Sequence, residues 1–151
     1  MPTSRFRITD ADHFDIQAIN RIEAACFRNP WSKEAIASEL TVDSGIARVL
    51  RCRSTGRIAG YLFARITVEE LHILKLAVAR QFRRSGGGTM LVTDAIRSAR
   101  QHGLARAFLE VRASNLTAIK LYEKIGFYIA GIRPGYYTDK NVDASMMVKS
   151  L

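Results

Sequence analysis

The chain has 151 residues and a mass of 16.9 kDa, an ordinary size for one domain, and it is read as a single domain over 1–151. Hydrophobic residues make up 48% and charged residues 25%, which excludes a disordered chain, a collagen-like chain and a disulfide scaffold. The net charge of +9 excludes nothing by itself but directs attention to anions.

Arg5-Phe6-Arg7-Ile8 alternates and predicts a short strand. Thr9-Asp10-Ala11-Asp12 offers helix caps, after which Phe14, Ile16, Ile19, Ile22 and Phe27 recur at helical spacing. Asn29-Pro30 breaks that helix, and Ser32 can cap a second, short one carrying Ile36 and Leu40. Ile46–Cys52 and Ile58–Val68 are rich in β-formers and are joined by the turn Ser54-Thr55-Gly56-Arg57, a hairpin. Leu71–Val78 is a further strand. A helix carries Met90, Leu91, Val92, Ala95, Ile96 and Ala99 and ends near His102-Gly103. Phe108–Val111 is a strand, Asn115 to Ile125 a helix stopped at Gly126, and Phe127–Ile132 and Ala144–Val148 are closing strands. The order predicts a mixed α/β (α+β) fold, with a strand–helix–strand crossover that should be parallel and right-handed.

No apolar run approaches the roughly 18 residues of a membrane span, and Met1 to Arg7 lacks the apolar core of a secretory signal. Cys26 and Cys52 read as reduced thiols of a cytoplasmic protein. Residues 1–75 hold 11 basic and 9 acidic side chains, whereas residues 76–151 hold 12 and 5. The second half therefore meets whatever anion the protein binds. It contains Arg83-Arg84-Ser85-Gly86-Gly87-Gly88-Thr89, set between a strand and a helix. The first amides of a helix lack internal partners and carry the positive end of its dipole. Glycines let the backbone approach an anion closely, and Arg80, Arg83 and Arg84 add charge, so the turn suits a phosphate or pyrophosphate. A P-loop would end Gly-Lys-[Ser/Thr], and a dinucleotide fingerprint would need G-x-G-x-x-G. Gly88-Thr89-Met90 gives neither. A plain flexible turn before a helix is the alternative.

Arg83-Arg84-Ser85-Gly86-Gly87-Gly88 resembles the [Gln/Arg]-x-x-Gly-x-[Gly/Ala] loop of the GCN5-related N-acetyltransferases, and Leu74-Lys75-Leu76-Ala77-Val78 resembles the strand before it. Leu109-Glu110-Val111-Arg112-Ala113-Ser114-Asn115, followed by Ala118 through Phe127, is similar to the subfamily of ribosomal-protein alanine N-acetyltransferases, the RimI type. Phe27-Arg28-Asn29-Pro30-Trp31-Ser32 and Arg133-Pro134-Gly135-Tyr136-Tyr137 match two further segments of that subfamily. The resemblance implies a mixed sheet of about six to seven strands, splayed between two parallel strands and flanked by about four helices. It implies acetyl-CoA as donor and an amine as acceptor. Leu76, Ala77 and Val78 would bind the pantetheine arm and thioester. The amides of Arg83, Arg84, Ser85, Gly86, Gly87, Gly88 and Thr89 would hold the pyrophosphate, and Asn115 would touch the cofactor. Glu110 would be the general base and Tyr122 the general acid. The subfamily's acceptor is the N-terminal alanine of a ribosomal protein, which makes a protein N-terminus the expected partner.

The chemistry suits these residues. A carboxylate at a strand end can take a proton from an amine, directly or through water. Glu110 lies in an apolar strand, and it could equally be a solvent-facing side chain or one paired to Arg112. A phenol near pKa 10 donating to a thiolate near 8.5 works uphill by about 2 kcal/mol, so a hydrogen bond to the leaving sulfur can suffice. The other reading of Tyr122 is a tyrosine packed beside Leu121 and Ile125. An α-amine near pKa 8 is cheaper to deprotonate than lysine by about 3 kcal/mol, which favours an N-terminal acceptor. Trp31, Tyr136 and Tyr137 could wall a peptide groove, or simply pack.

Lys75 stands where the subfamily usually carries asparagine, Ala79-Arg80 replaces an acidic-proline pair, and Gly87 should loosen the loop. His13, His72 and His102 are isolated, so no metal site is expected. Cys52 between Arg51 and Arg53 could be exposed, and Arg48, Arg51, Arg53 and Arg57 read as a solvated edge rather than a nucleic-acid platform. Two other functions compete with N-terminal acetylation. One is acetylation of a small amine, and the other is a basic RNA- or ribosome-binding module without activity.

Overall fold

In the computed structural model, residues 4–137 and 142–151 are described, with the side chains of 133–137 and 142 left aside. The element order is β1 (Phe6–Asp10), α1 (Ile16–Cys26), α2 (Lys33–Leu40), β2 (Gly45–Cys52), β3 (Ile58–Ile66), β4 (Glu70–Val78), α3 (Gly87–Gln101), β5 (Arg106–Arg112), α4 (Leu116–Ile125), β6 (Tyr128–Tyr137) and β7 (Val142–Ser150). One sheet runs β1-β2-β3-β4-β5-β7-β6, and every neighbouring pair is antiparallel except β4 with β5. The mixed sheet and four helices match the predicted class. The predicted Tyr136 and Tyr137 fall on the β6 backbone, and their side chains lie outside the described residues.

The helices form where the sequence places caps. Asp12 accepts from the Phe14 amide, Asp15 returns a bond to the Asp12 amide, and Ser32 accepts from the Ala35 amide. Phe14 departs from the expected apolar face. It sits in a 3-10 turn before α1, with 81% of its surface exposed. α3 buries Leu91, Val92, Ala95, Ile96 and Ala99 on one stripe, at about 1.5–3 kcal/mol for each large side chain.

The arginines of β2 do not form a solvated edge, because β1 covers that side of the strand. Arg48 bonds Asp10 and Asp94, and Arg51 bonds Asp15, a buried carboxylate. Cys52 is buried too, under the hairpin turn.

The feature that positions the site is the β4–β5 pair. Its register covers only Glu70↔Arg106 to Ile73↔Leu109. At that point β4 carries a bulge against β3, where Phe63 pairs with Lys75 and Ala64 with Ile73, leaving Leu74 extra. A bulge bends its strand and increases the local twist. Beyond it, Lys75–Val78 remains paired to β3 while Glu110–Arg112 remains paired to β7. The two parallel strands part, and their facing edges open into a cleft.

Candidate active site

Leu76, Ala77 and Val78 lie on the stretch of β4 that has no strand on its β5 side. The chain then turns through a short 3-10 segment, Arg80–Phe82, into Arg83, Arg84 and Ser85. The Ser85 hydroxyl donates to the Phe82 carbonyl, tightening the turn. Arg84 has φ +61°, the one positive value at a non-glycine among the described residues, and Gly86 follows at +83°. These two left-handed residues aim the chain back over the sheet. Gly86 is the N-cap of α3 and no side chain caps it. The first intrahelical bond is from the Met90 amide to the Gly86 carbonyl, so the amides of the first turn point outward beside the end of β4.

Gly87 and Gly88 are not loose. Both are buried in the first turn of α3. A Cβ on Gly87 would lie 2.5 Å from Leu50 Cδ2, and one on Gly88 3.0 Å from Leu121 Cδ1. The extra glycine seats α3 on the sheet and the next glycine admits α4. The expectation of a loosened loop is therefore corrected by packing. Arg83 spans the end of the splayed strand: its Nε donates to the Val78 carbonyl at 3.1 Å and its Nη2 to Cys26 Sγ at 3.3 Å. Thr89 is exposed on the first turn of α3.

Glu110 is the first residue of β5 past the end of the parallel pairing. Its side chain is only 10% exposed, and its Oε2 lies 2.8 Å from His72 Nε2. His72 was set aside in the sequence as isolated. The fold brings it to Glu110 because His72 and Phe108 are register partners with stacked rings, centroids 4.3 Å apart, which fixes the imidazole two residues from Glu110. A separation of 38 residues leaves no local signal for this pairing.

Asn115 caps α4, its Oδ1 accepting from the Ala118 amide at 3.1 Å. Tyr122 lies on the buried face of α4, its ring edge-on to Phe127 at 5.6 Å. Leu121 meets Gly88, so α4 and the start of α3 touch beside the cleft.

Trp31, in the α1–α2 connection, is held from three sides. Its amide donates to Glu23 Oε2 at 2.8 Å, its carbonyl accepts from Asn20, and its ring packs on Phe63 with centroids 5.5 Å apart. Glu23 is fully buried. Its carboxylate also accepts from the Tyr61 hydroxyl and from Lys75 Nζ at 3.1 Å. The Lys75 ammonium sits 3.8 Å from the Phe27 ring centroid and 5.2 Å from that of Trp31. Lys75, the departure noted in the sequence, thus ties β4 to the α1–α2 connection.

Comparison with known proteins agrees with this geometry. Residues 16–127 match the model of the acetyltransferase (GNAT) family. The chain is 35% identical over 144 residues to the ribosomal protein bS18-alanine N-acetyltransferase of Escherichia coli K12, covering 93% of this chain and 94% of the relative. The crystal structure of the ribosomal-protein-S18-alanine N-acetyltransferase from Escherichia coli superposes with a TM-score of 0.87 at 32% identity, covering 96% of this chain and 93% of that one. Ard1 from Thermoplasma volcanium gives 0.88 at 27% identity, covering 97% and 98%. A family match across most of the chain and a splayed sheet of the same shape lead to one conclusion: this chain belongs to the GNAT family and is an acetyl-transferring enzyme.

Proposed function

We propose that the protein transfers the acetyl group of acetyl-CoA to the α-amine of a protein N-terminus, with a ribosomal protein as the acceptor. The observation that carries the reading is the parting of β4 from β5 after Ile73 and Leu109, beside a helix start that no side chain caps. The open strand edge offers donors and acceptors to the pantetheine amides, and the first turn of α3 offers uncommitted amides to a pyrophosphate. These groups fit coenzyme A. Bound there, it supplies an activated acetyl thioester.

In this reading Leu76, Ala77 and Val78 orient the pantetheine arm. The backbone from Arg83 to Thr89 grips the diphosphate, and Asn115 closes over the cofactor from the start of α4. Glu110, at the fork of the cleft, takes the proton of the incoming amine. Tyr122 offers its hydroxyl to the departing sulfur. Trp31, with Tyr136 and Tyr137, walls the acceptor groove. The N-terminal acceptor rests on two supports. Deprotonating an α-amine is cheaper than deprotonating lysine, and the relatives named above are N-terminal acetyltransferases of an alanine in ribosomal protein bS18.

The test is thiol release from acetyl-CoA with a panel of peptides beginning in alanine, the same peptides with blocked N-termini, and small polyamines. Turnover with free alanine termini and none with blocked ones supports the reading. Turnover with the small amines alone would assign a metabolite as the acceptor.

A further inference from the structure

We infer that His72 is a positioning residue that aims the Glu110 carboxylate and, by its own protonation, switches it off as a base. This rests on the reading of Glu110 as the base. The imidazole Nε2 lies 2.8 Å from Glu110 Oε2. An ionised carboxylate only accepts, so Nε2 carries the hydrogen and donates. One carboxylate oxygen is then committed to the ring, and Oε1 is left for the amine. The ring cannot swing away, because it is stacked on Phe108 at an interplanar angle of 10°.

The proton balance explains why a gate matters here. An α-ammonium and a thioester give an acetamide, a thiol and one free proton. The C–S bond breaks, the C–N bond forms, and nitrogen loses two protons, of which one ends on sulfur. Glu110 must therefore be ionised when the amine arrives, and it must discharge before the next turnover. A neutral imidazole beside it leaves the carboxylate an effective base. A second proton on the ring, at Nδ1, places a full positive charge against Oε2, and a carboxylate facing a cation holds an incoming proton less well. Two ionisable groups this close titrate as one unit.

The surroundings isolate this pair. Across β3, Arg65 faces His72 but is committed to both oxygens of Glu39 on α2. Glu70, two residues earlier on β4, is held by Arg106 of β5. Lys75, three residues later, is held by Glu23 of α1. The His72 side chain is 26% exposed, so solvent protons reach it.

The test uses two substitutions at His72 and one at Glu110, with kcat measured at saturating acetyl-CoA and acceptor peptide between about pH 6 and 9. Gln at 72 keeps an N–H donor but does not titrate, and Phe keeps a ring over Phe108 without a donor. H72Q should hold kcat within about threefold of wild type at pH 8, and the ratio of mutant to wild-type kcat should rise as pH falls toward 6. H72F should lose on the order of tenfold to a hundredfold in kcat at every pH, with KM for acetyl-CoA unchanged. A flat H72Q ratio across the range overturns the gate, and wild-type kcat in H72F overturns the positioning role. If H72F does not fold, a loss in H72Q at pH 8 as large as that of E110Q overturns the positioning role instead. E110Q separates the premise: full activity there removes Glu110 as the base, whereas a slow E110Q with an unaltered H72Q profile removes only the role of His72.

Discussion

Lys75 Nζ, on the splayed strand, lies 3.1 Å from Oε2 of Glu23, a carboxylate of α1 with no surface exposed. The pair crosses from the sheet to the helix that precedes Trp31, and the same carboxylate oxygen receives the Trp31 amide. A single buried anion thus sets both the height of α1 above β4 and the start of the α1–α2 connection.

Breaking that pair leaves an uncompensated buried charge. K75A should destabilise the fold by about 3–5 kcal/mol, while K75M combined with E23Q should cost much less than the two single changes together. Urea unfolding of the four proteins measures this directly. Additive losses would show that the two groups do not depend on each other. K75A should also raise KM for the acceptor peptide more than KM for acetyl-CoA, since Trp31 loses its anchor.

Tyr61 donates to the other oxygen of Glu23. Burial first, then the hydrogen bond and charge of Glu23, raise its phenol far above the ordinary value. A phenol with a raised folded-state pKa stabilises the fold fully below the unfolded pKa, about 10, and that contribution is lost as pH rises further. Stability should therefore fall above about pH 10, by up to about 1.4 kcal/mol per pH unit from this group. Y61F should lower stability at pH 7 by about 1–3 kcal/mol and flatten the alkaline slope. Denaturant midpoints for both proteins from pH 7 to 11 give the difference, and parallel slopes would remove Tyr61 from the account.

The three consecutive glycines should respond differently. Alanine in a helix gains about 1 kcal/mol over glycine, but at Gly87 the new Cβ would lie 2.5 Å from the Leu50 side chain, itself fully buried. G87A should therefore be net destabilising by about 1–3 kcal/mol, as overpacking is, and should raise KM for acetyl-CoA by lifting the first turn of α3. At Gly86 there is space within 4 Å but φ is +83°, so G86A should cost about 1–2 kcal/mol through the backbone. Thermal melts and cofactor titrations of the two variants distinguish steric from backbone origin.

Removing the proton-handling groups should act on rate. E110Q should lower kcat by about 10²-fold or more while leaving KM for acetyl-CoA near wild type. Y122F keeps the ring against Phe127 and removes only the hydroxyl, so a smaller loss is expected, in line with a hydrogen bond to the sulfur rather than full proton donation. Pre-steady-state thiol release reads the chemical step for both. A kcat loss in Y122F equal to that of E110Q would show that protonation of sulfur is as demanding as deprotonation of nitrogen.

Most elements follow from local rules. Periodicity marked the core stripe of α3, Ser32, Asn115 and Gly126 marked helix ends, and the Glu110-to-Phe127 segment carried the family. The open part of β4 and the glycine turn were also apparent, because strand, turn and helix start are contiguous in the chain. Phe14 misled because a single apolar residue at the right spacing says nothing about whether a neighbour covers it. The β2 arginines misled because edge or interior is a property of strand order, which β1 settles by folding back over β2.

The pairings of His72 with Glu110 and of Lys75 with Glu23 join residues 38 and 52 positions apart, and each exists only because the register of β4 is fixed against β5 on one side and β3 on the other. Spacing along a chain encodes which residues share a strand or a helix face. It carries no information on which strands lie side by side, and charge balance between distant elements depends on that arrangement. The family, the cofactor turn and the acid–base pair were therefore accessible from the amino acids in order. The buried anion under Trp31 and the imidazole beside Glu110 came into being only once the sheet had closed and excluded water from them.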